Sequence, residues 1–224
     1  MADFLDVITT YNIPAAYWVN LKLAFFSTVI ALTLGLVLAM MRISPIPSLR
    51  AMGASYVTLM RNTPLTVIMV FAVLVLWPIF GVNFSQNFAQ NFFWLAVLSL
   101  SVYHASFFCE AIRSGVNTVP VGQAEAARAI GLSFLPAARL VIMPQAFRGA
   151  IAPLGNTIIA LIKNTTVAAA ASVAEISILM REMIENNGNY VIPIFLTIAV
   201  GFVVIVIPVG MATTYLSQKL AVSR

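Results

Sequence analysis

Gly122-Gln-Ala-Glu-Ala-Ala-Arg-Ala-Ile-Gly-Leu-Ser-Phe-Leu-Pro-Ala-Ala-Arg-Leu-Val-Ile-Met-Pro-Gln-Ala-Phe-Arg148 is the one stretch of a strongly apolar chain that gathers charges, two glycines and two prolines into a segment too polar for lipid. It reads as two short helices around a corner. Gln123 to Ile130 are good helix formers, and Glu125, placed in the first turn, complements the positive end of the helix dipole. Gly131 suits the left-handed conformation that ends a helix, Ser133 is set to cap the next one, and Pro136 falls in a first turn, where a missing N–H costs least. Pro144 is expected to stop the second helix. Ala124, Ala126, Ala127 and Ala129 leave the first helix almost without bulk, open to close approach by another protein's backbone or an aromatic ring.

Around this stretch the chain is 224 residues long, 61% hydrophobic and only 8% charged, which excludes an ordinary soluble domain. Apolar runs long enough for the roughly 20 residues that cross a bilayer fall around 17–41, 57–80, 92–112, 149–178 and 190–216. The first is longer than a cleavable apolar core and follows Asp3 and Asp6 where a positive region belongs, so it reads as a retained span. Lys163 and polar neighbours interrupt the fourth, which is expected to be broken or enclosed by protein. Arg42 and Arg50 end span one, Arg113, Arg128, Arg139 and Arg148 follow span three, and Lys219 and Arg224 follow span five. Because cytoplasmic loops are enriched in Lys and Arg, the expectation is an all-α, multi-pass plasma-membrane protein of about five spans. Its N-terminus is expected outside, its C-terminus in the cytoplasm, and the whole chain is read as one domain, 1–224. The basic pI of 9.7 follows from that topology, and no nucleic-acid partner is implied, since the basic residues are spread over loops. Cys109 and His104 supply too few ligands for a metal, and both read as packing residues.

In chain order, residues 1 to 16 look like a short outer segment ending near Pro14, with Tyr17 and Trp18 as interfacial anchors. Gly35 could allow close helix contact. Arg42-Ile-Ser-Pro-Ile-Pro47 is a tight inner turn. In Tyr56-Val-Thr-Leu-Met-Arg-Asn-Thr-Pro-Leu65, Pro64 pushes Thr63 out of helical geometry, and the freed backbone groups need Asn62, Thr63 or Thr66. Two readings stand for Arg61 to Thr66: part of a pathway or inner gate, or a kinked helix whose arginine obeys the charge rule. Span three carries Ser99, Ser101, Tyr103, His104, Ser106 and Glu110, too much polarity for a lipid-facing helix, and Glu110 and Arg113 lie at pairing distance on one face. Asn156 and Lys163 are seven apart, on one helix face two turns apart. A lysine inside a span faces an aqueous cavity or an acid; Glu175 is the acid at hand, but twelve positions along a straight helix it is off the lysine's face. Gly188 is expected to end a helix before span five, in which Pro193 and Pro208 are tolerated.

The opening stretch resembles the cytoplasmic loop of permease subunits in ATP-binding-cassette importers, whose signature is Glu-Ala-Ala, three residues, Gly, nine residues, then Ile-x-Leu-Pro. This chain has Glu125-Ala126-Ala127, Gly131 and Pro144 at those spacings, with Val141 and Met143 as conservative departures. The resemblance implies the type I importer permease fold, with a loop over about 121–148 in which Glu125, Ala126, Ala127, Gly131 and Pro144 couple to an ATPase. Arg61-Asn-Thr-Pro-Leu and Lys163-Asn-Thr-Thr-Val look like segments of polar-amino-acid permeases, with actinobacterial glutamate-uptake permeases most similar. This implies a pathway involving Arg61, Thr63, Asn156, Lys163, Asn164 and Thr165.

None of the chain's three lysines follows a glycine, so no phosphate-binding loop is present. By resemblance the partners are a second permease subunit, two cytoplasmic ATPases that hold ATP-Mg, and an outer substrate-binding protein, all around lipid. The chain itself is expected to be no enzyme and to hold no cofactor. The alternative is an ATP-independent secondary transporter or channel with Glu110, Lys163 and Glu175 as an ion relay.

Overall fold

The computed structural model describes residues 2–220; Arg224 and the side chain of Asp3, both used above for orientation, lie outside the described residues. Regular structure among them is entirely helical. After α1 (Ala2–Thr10), α2 (Ile13–Ile43) starts where Asn12 Oδ1 accepts the N–H of Ala15 at 3.1 Å, a side-chain cap. Then come α3 (Pro47–Asn62), which has proline at its first position, α4 (Leu65–Phe71) and α5 (Phe88–Val116). They are followed by α6 (Val121–Ala129), α7 (Phe134–Ala137), α8 (Met143–Asn164), α9 (Ile176–Asn186) and α10 (Val191–Lys219). Three helical stretches, Ile13–Ile43, Phe88–Val116 and Gly188–Lys219, are long and apolar enough to cross a membrane, and five spans result if each of two bent helix pairs counts as one.

Those bent pairs revise two expectations. The span expected over 57–80 is two helices, because Thr63 is extended (φ −101°, ψ 130°) ahead of Pro64, as the steric clash of its ring demands. The carbonyls orphaned there are answered locally. Thr63 Oγ1 donates to Leu59 O at 2.8 Å and Thr63 N–H to Met60 O at 3.3 Å. Nor does Pro144 stop a helix. A π turn over Ala138–Ile142, in which Met143 N–H reaches Ala138 O five residues back, widens the coil ahead of the ring, and α8 continues. A second π turn, Ala72–Leu76, extends α4, with Trp77 N–H on Ala72 O at 3.1 Å. Gly188 begins a 3₁₀ turn, Gly188–Tyr190, instead of ending α9.

The chain forms two compact units, to which α2, α5, α8 and α10 each contribute both ways. One unit comprises Met1–Thr28, Pro64–Ser101 and Ala160–Pro208, the other Val29–Thr63, Val102–Ile159 and Val209–Arg224. In the first, Leu23, Met69, Leu95, Leu161, Met183 and Ile194 are fully buried. Tyr17 is not the free anchor that its position suggested: its hydroxyl donates to Ile198 O and its ring meets Phe202 edge-on at 5.4 Å, while Trp18 stays exposed. In the second, Leu38, Ala39, Val57, Ala105, Cys109, Ile112 and Met143 form the core. Gly35 brings α2 against Ala105 and Phe108 of α5, and Gly115 brings α5 against the carbonyl of Ala146 on α8. Close backbone approach through small residues is how membrane helices gain packing without a hydrophobic drive between them.

A Cβ on Gly115 would collide with backbone that cannot step aside, whereas one on Gly122 meets nothing within 4 Å. Gly115→Ala is expected to destabilise the detergent-solubilised protein by about 1–3 kcal/mol. Gly122→Ala should be neutral or slightly stabilising, both being read from thermal melts.

Candidate functional site

Three groups of residues carry the chemistry, each within one unit. The first is the corner in the second unit. Helix α6 begins at Val121, two residues before the sequence places it, so Glu125 lies in the second turn and not the first. Its end is a Schellman arrangement. Gly131 takes φ +89°, its N–H donates to Arg128 O at 2.9 Å, and Leu132 N–H donates to Ala127 O at 3.1 Å. Ser133 occupies the N-cap position of α7, but its side chain makes no capping bond. Glu125, Ala126 and Pro144 are exposed, while Ala127 turns inward and is buried. Val121, Ile130 and Leu135 expose more than three-fifths of their surface, Ile130 as much as 77%. An apolar rim around a corner free of side-chain bulk suits a protein partner.

The second group surrounds Glu110, also in the second unit. Its carboxylate is paired with Arg42, lies 3.1 Å from Arg113 Nη1 and 4.0 Å from Arg61 Nη1. The sequence suggested the Arg113 partner from spacing; Arg42 and Arg61 are too distant in the chain to be inferred. Three guanidiniums on one carboxylate leave a surplus of positive charge. Arg61, the least enclosed, also stands 5.6 Å from the centroid of the Phe107 ring, a cation–π contact. Thr63, at the end of α3, keeps its hydroxyl on Leu59 O.

The third group is in the first unit, where α8 passes into the 3₁₀ segment Thr165–Ala171 and then turns through Ser172 (φ 56°) into α9. A cavity of about 350 Å³ opens there, lined by Lys163 and Thr166 on one side, Ile176, Ser177 and Met180 on another, and Phe195, Ile198, Ala199 and Phe202 of α10. Among the described residues no acid lies within 4.0 Å of Lys163. Glu175, the suggested partner, is instead buried at the start of α9. Thr165 is also fully buried, its hydroxyl donating to Ile162 O at 2.7 Å. Ser177 had no signal in the sequence; only the bend into α9 brings it to the cavity. Asn156 is exposed on α8, in the second unit. His104 is buried against Tyr103 and Phe107, and Cys109 is in the core.

An all-helical chain with helices long and apolar enough to cross a membrane and an exposed, alanine-rich corner has the form of a membrane transport subunit. The chain belongs to the binding-protein-dependent transport system inner membrane components, whose pattern matches residues 6–222. It is 43% identical over 214 residues to the glutamate transport system permease protein of Corynebacterium glutamicum, covering 93% of this chain and 94% of that one. A probable glutamine ABC transporter permease of Bacillus subtilis is 30% identical, covering 84% and 83%. Among solved structures, an amino acid ABC transporter crystallised with histidines superposes with a TM-score of 0.79 at 25% identity, covering 98% of this chain and 96% of that one. An inward-facing methionine ABC transporter gives 0.73 at 21% identity over 96% and 98%, a likeness of fold. The fold is that of type I importer permeases, and the chain is a membrane component, not an enzyme.

Removing the carboxylate at the centre of the arginine group leaves three like charges together. Glu110→Gln is expected to cost about 1–3 kcal/mol, discounted for partial exposure. Arg61→Gln should cost less than Arg42→Gln in the same thermal melts.

Proposed function

We propose that the chain is the permease subunit of an ATP-driven amino-acid importer, with glutamate as its solute. The observation that carries this reading is the exposed corner at Gly131. It offers an apolar, alanine-faced surface on which a separate ATPase can bear, through Glu125, Ala126, Gly131 and the helix that continues past Pro144. Ala127 acts from inside, packing the corner against its own chain. The distribution of basic residues supports a cytoplasmic corner and C-terminus with an outer N-terminus. Two ATPases holding ATP-Mg, an outer binding protein and a second permease chain complete the complex. Helix α10, whose most apolar stretch is only 11% buried and leaves Phe195, Leu196, Val200, Val203 and Val204 exposed, offers a face for lipid or for that second permease.

Within the permease, Arg61, Thr63, Asn156, Lys163 and Asn164 are assigned to the solute's route, with Thr165 behind its wall. Lys163 is the group for a carboxylate: among the described residues no acid lies within 4.0 Å to neutralise it, and a charge at membrane depth is retained where an aqueous path or an anion meets it. Every amino acid has a carboxylate, so the lysine alone does not select glutamate; the similarity to glutamate permeases and delivery by the binding protein carry that part. Nucleotide binding closes the ATPase pair, the corner moves with it, and the spans shift between inward-open and outward-open. Each ligand acts by favouring one state over the other.

Replacing Gly131 by Asp imposes a left-handed backbone on a side chain, at a cost of about 1–2 kcal/mol, with no clash, since nothing lies within 4 Å. The variant should insert and assemble normally yet deliver less solute per ATP hydrolysed in proteoliposomes; undiminished uptake would count against coupling at this corner. Lys163→Met should raise the half-saturating glutamate concentration about tenfold, the worth of one charge-assisted hydrogen bond. Uptake should need ATP and survive collapse of the ion gradient.

A further inference from the structure

Behind the Lys163 cavity lies a fully enclosed polar cluster. The carboxylate of Glu175 is 0% exposed. It accepts the backbone N–H of Ser177 at 3.0 Å, that of Ile178 at 3.3 Å, the Ser177 hydroxyl, and Asn20 Nδ2 at 2.9 Å. Among the described residues no cation pairs with it. The negative charge is met by the free N–H groups at the start of α9, where a helix carries its positive end. Asn20, on α2 and 2% exposed, is fully used: Nδ2 donates to Glu175 and to Thr165 Oγ1 at 2.9 Å, and Oδ1 accepts Ile176 N–H at 3.0 Å. Thr165 in turn donates to Ile162 O.

Two members of this cluster, Thr165 and Glu175, adjoin the cavity's lining in sequence without lining it themselves, and Asn20 joins them from α2. Thr165 sits between Lys163 and Thr166, which line the cavity, and Glu175 precedes Ile176 and Ser177, which line it opposite. The Ser177 hydroxyl lies 3.3 Å from Thr166 O, joining the two walls directly. Between them the chain runs through the αL residue Ser172, a conformation that costs a side chain energy and is retained only where surroundings enforce it. A capped helix start alone would need only the acid and its own backbone. Asn20 adds to the capping, its Oδ1 taking the Ile176 N–H, but its Nδ2 bonds to Glu175 and Thr165 go beyond a cap and tie the two walls together.

We propose that Glu175, Asn20 and Thr165 are positioning residues for the cavity: they hold Lys163 and Thr166 against Ser177 at one spacing, and so govern how well the solute is held. This rests on the cavity's assignment to the solute's route. Glu175→Asp separates the two duties of the acid, since aspartate caps a helix as well as any residue but is one methylene too short to reach Asn20 as well.

The test uses the reconstituted complex of permease, ATPase and binding protein in a Cys109→Ala background. Thr166→Cys is added as a reporter of wall geometry through its labelling rate with a small thiol reagent, which does not depend on what the cavity binds. Glu175→Asp and Asn20→Ala are expected to alter that rate and to raise the half-saturating glutamate concentration about tenfold. For Glu175→Asp, maximal uptake, basal ATP hydrolysis and the thermal midpoint should stay near those of the parent, a split that a general loss of folded protein does not produce; Asn20→Ala, which strips Ile176 N–H of its acceptor, is expected to lower the thermal midpoint as well. An unchanged labelling rate overturns the proposal. So does an altered rate with unchanged half-saturation when Lys163→Met does shift it. If Lys163→Met shifts nothing either, the cavity is not on the solute's route, and the assignment on which the proposal stands is what has failed.

Discussion

In lipid there is no water to satisfy a backbone group released from a helix, so every interruption of a span must bring its own partner. This constraint accounts for the details that otherwise look like irregularities. At Pro64 the threonine just before the ring supplies a hydroxyl and an N–H to the carbonyls left over. At Pro144 and at Ala72–Leu76 the coil widens by a π turn and the ladder continues five residues back. Where α8 gives way to α9, the amide of Asn20 on α2 and the buried carboxylate of Glu175 take up the free N–H groups. The interruptions are also where the polar chemistry lies, because a freed backbone group and a functional side chain need the same shelter.

Glu110 and Glu175 show two ways of keeping an acid in such surroundings. Glu110 is partly exposed and held by guanidiniums, which overcompensate it. Glu175 is entirely enclosed and, among the described residues, has no cation, relying on N–H dipoles at a helix start and on an amide. In each case the acid's oxygens are occupied by fixed donors. A proton or ion relay through Glu110, Lys163 and Glu175 would need acids free to exchange partners, and these two are held in place by groups that belong to the fold.

Much of this was legible in the residues. The apolar runs mark the spans, Gly131 and its spacing mark the corner, Pro64 marks the first break, and the three-residue step marks the Glu110–Arg113 pair. All of these are local signals. What could not be read came from elsewhere in the chain or from two effects offsetting each other. Arg42 meets Glu110 across 68 positions, and Asn20 meets Glu175 across 155. Helix α3 hides because it opens on Pro47 and ends at Asn62, one residue short of the Thr63–Pro64 break, and its low apolarity gives no span-like run. Pro144 misleads because the rule that proline ends a helix assumes a regular coil, and the preceding turn is not regular. Counting along a straight helix disfavours Glu175 as a mate for Lys163, whereas the chain between them in fact turns at Ser172 and the acid caps α9.

The Schellman closure at Gly131 has an implication for the energetics of assembly. Its two hydrogen bonds are made entirely within the subunit, so the loop's shape is already decided before any neighbour arrives. On the proposed coupling role, association forfeits little conformational entropy at the corner, and the affinity available from a modest apolar rim is spent on holding, not on ordering. A preorganised contact of this kind can be pulled as well as pushed, since the corner has no slack to take up.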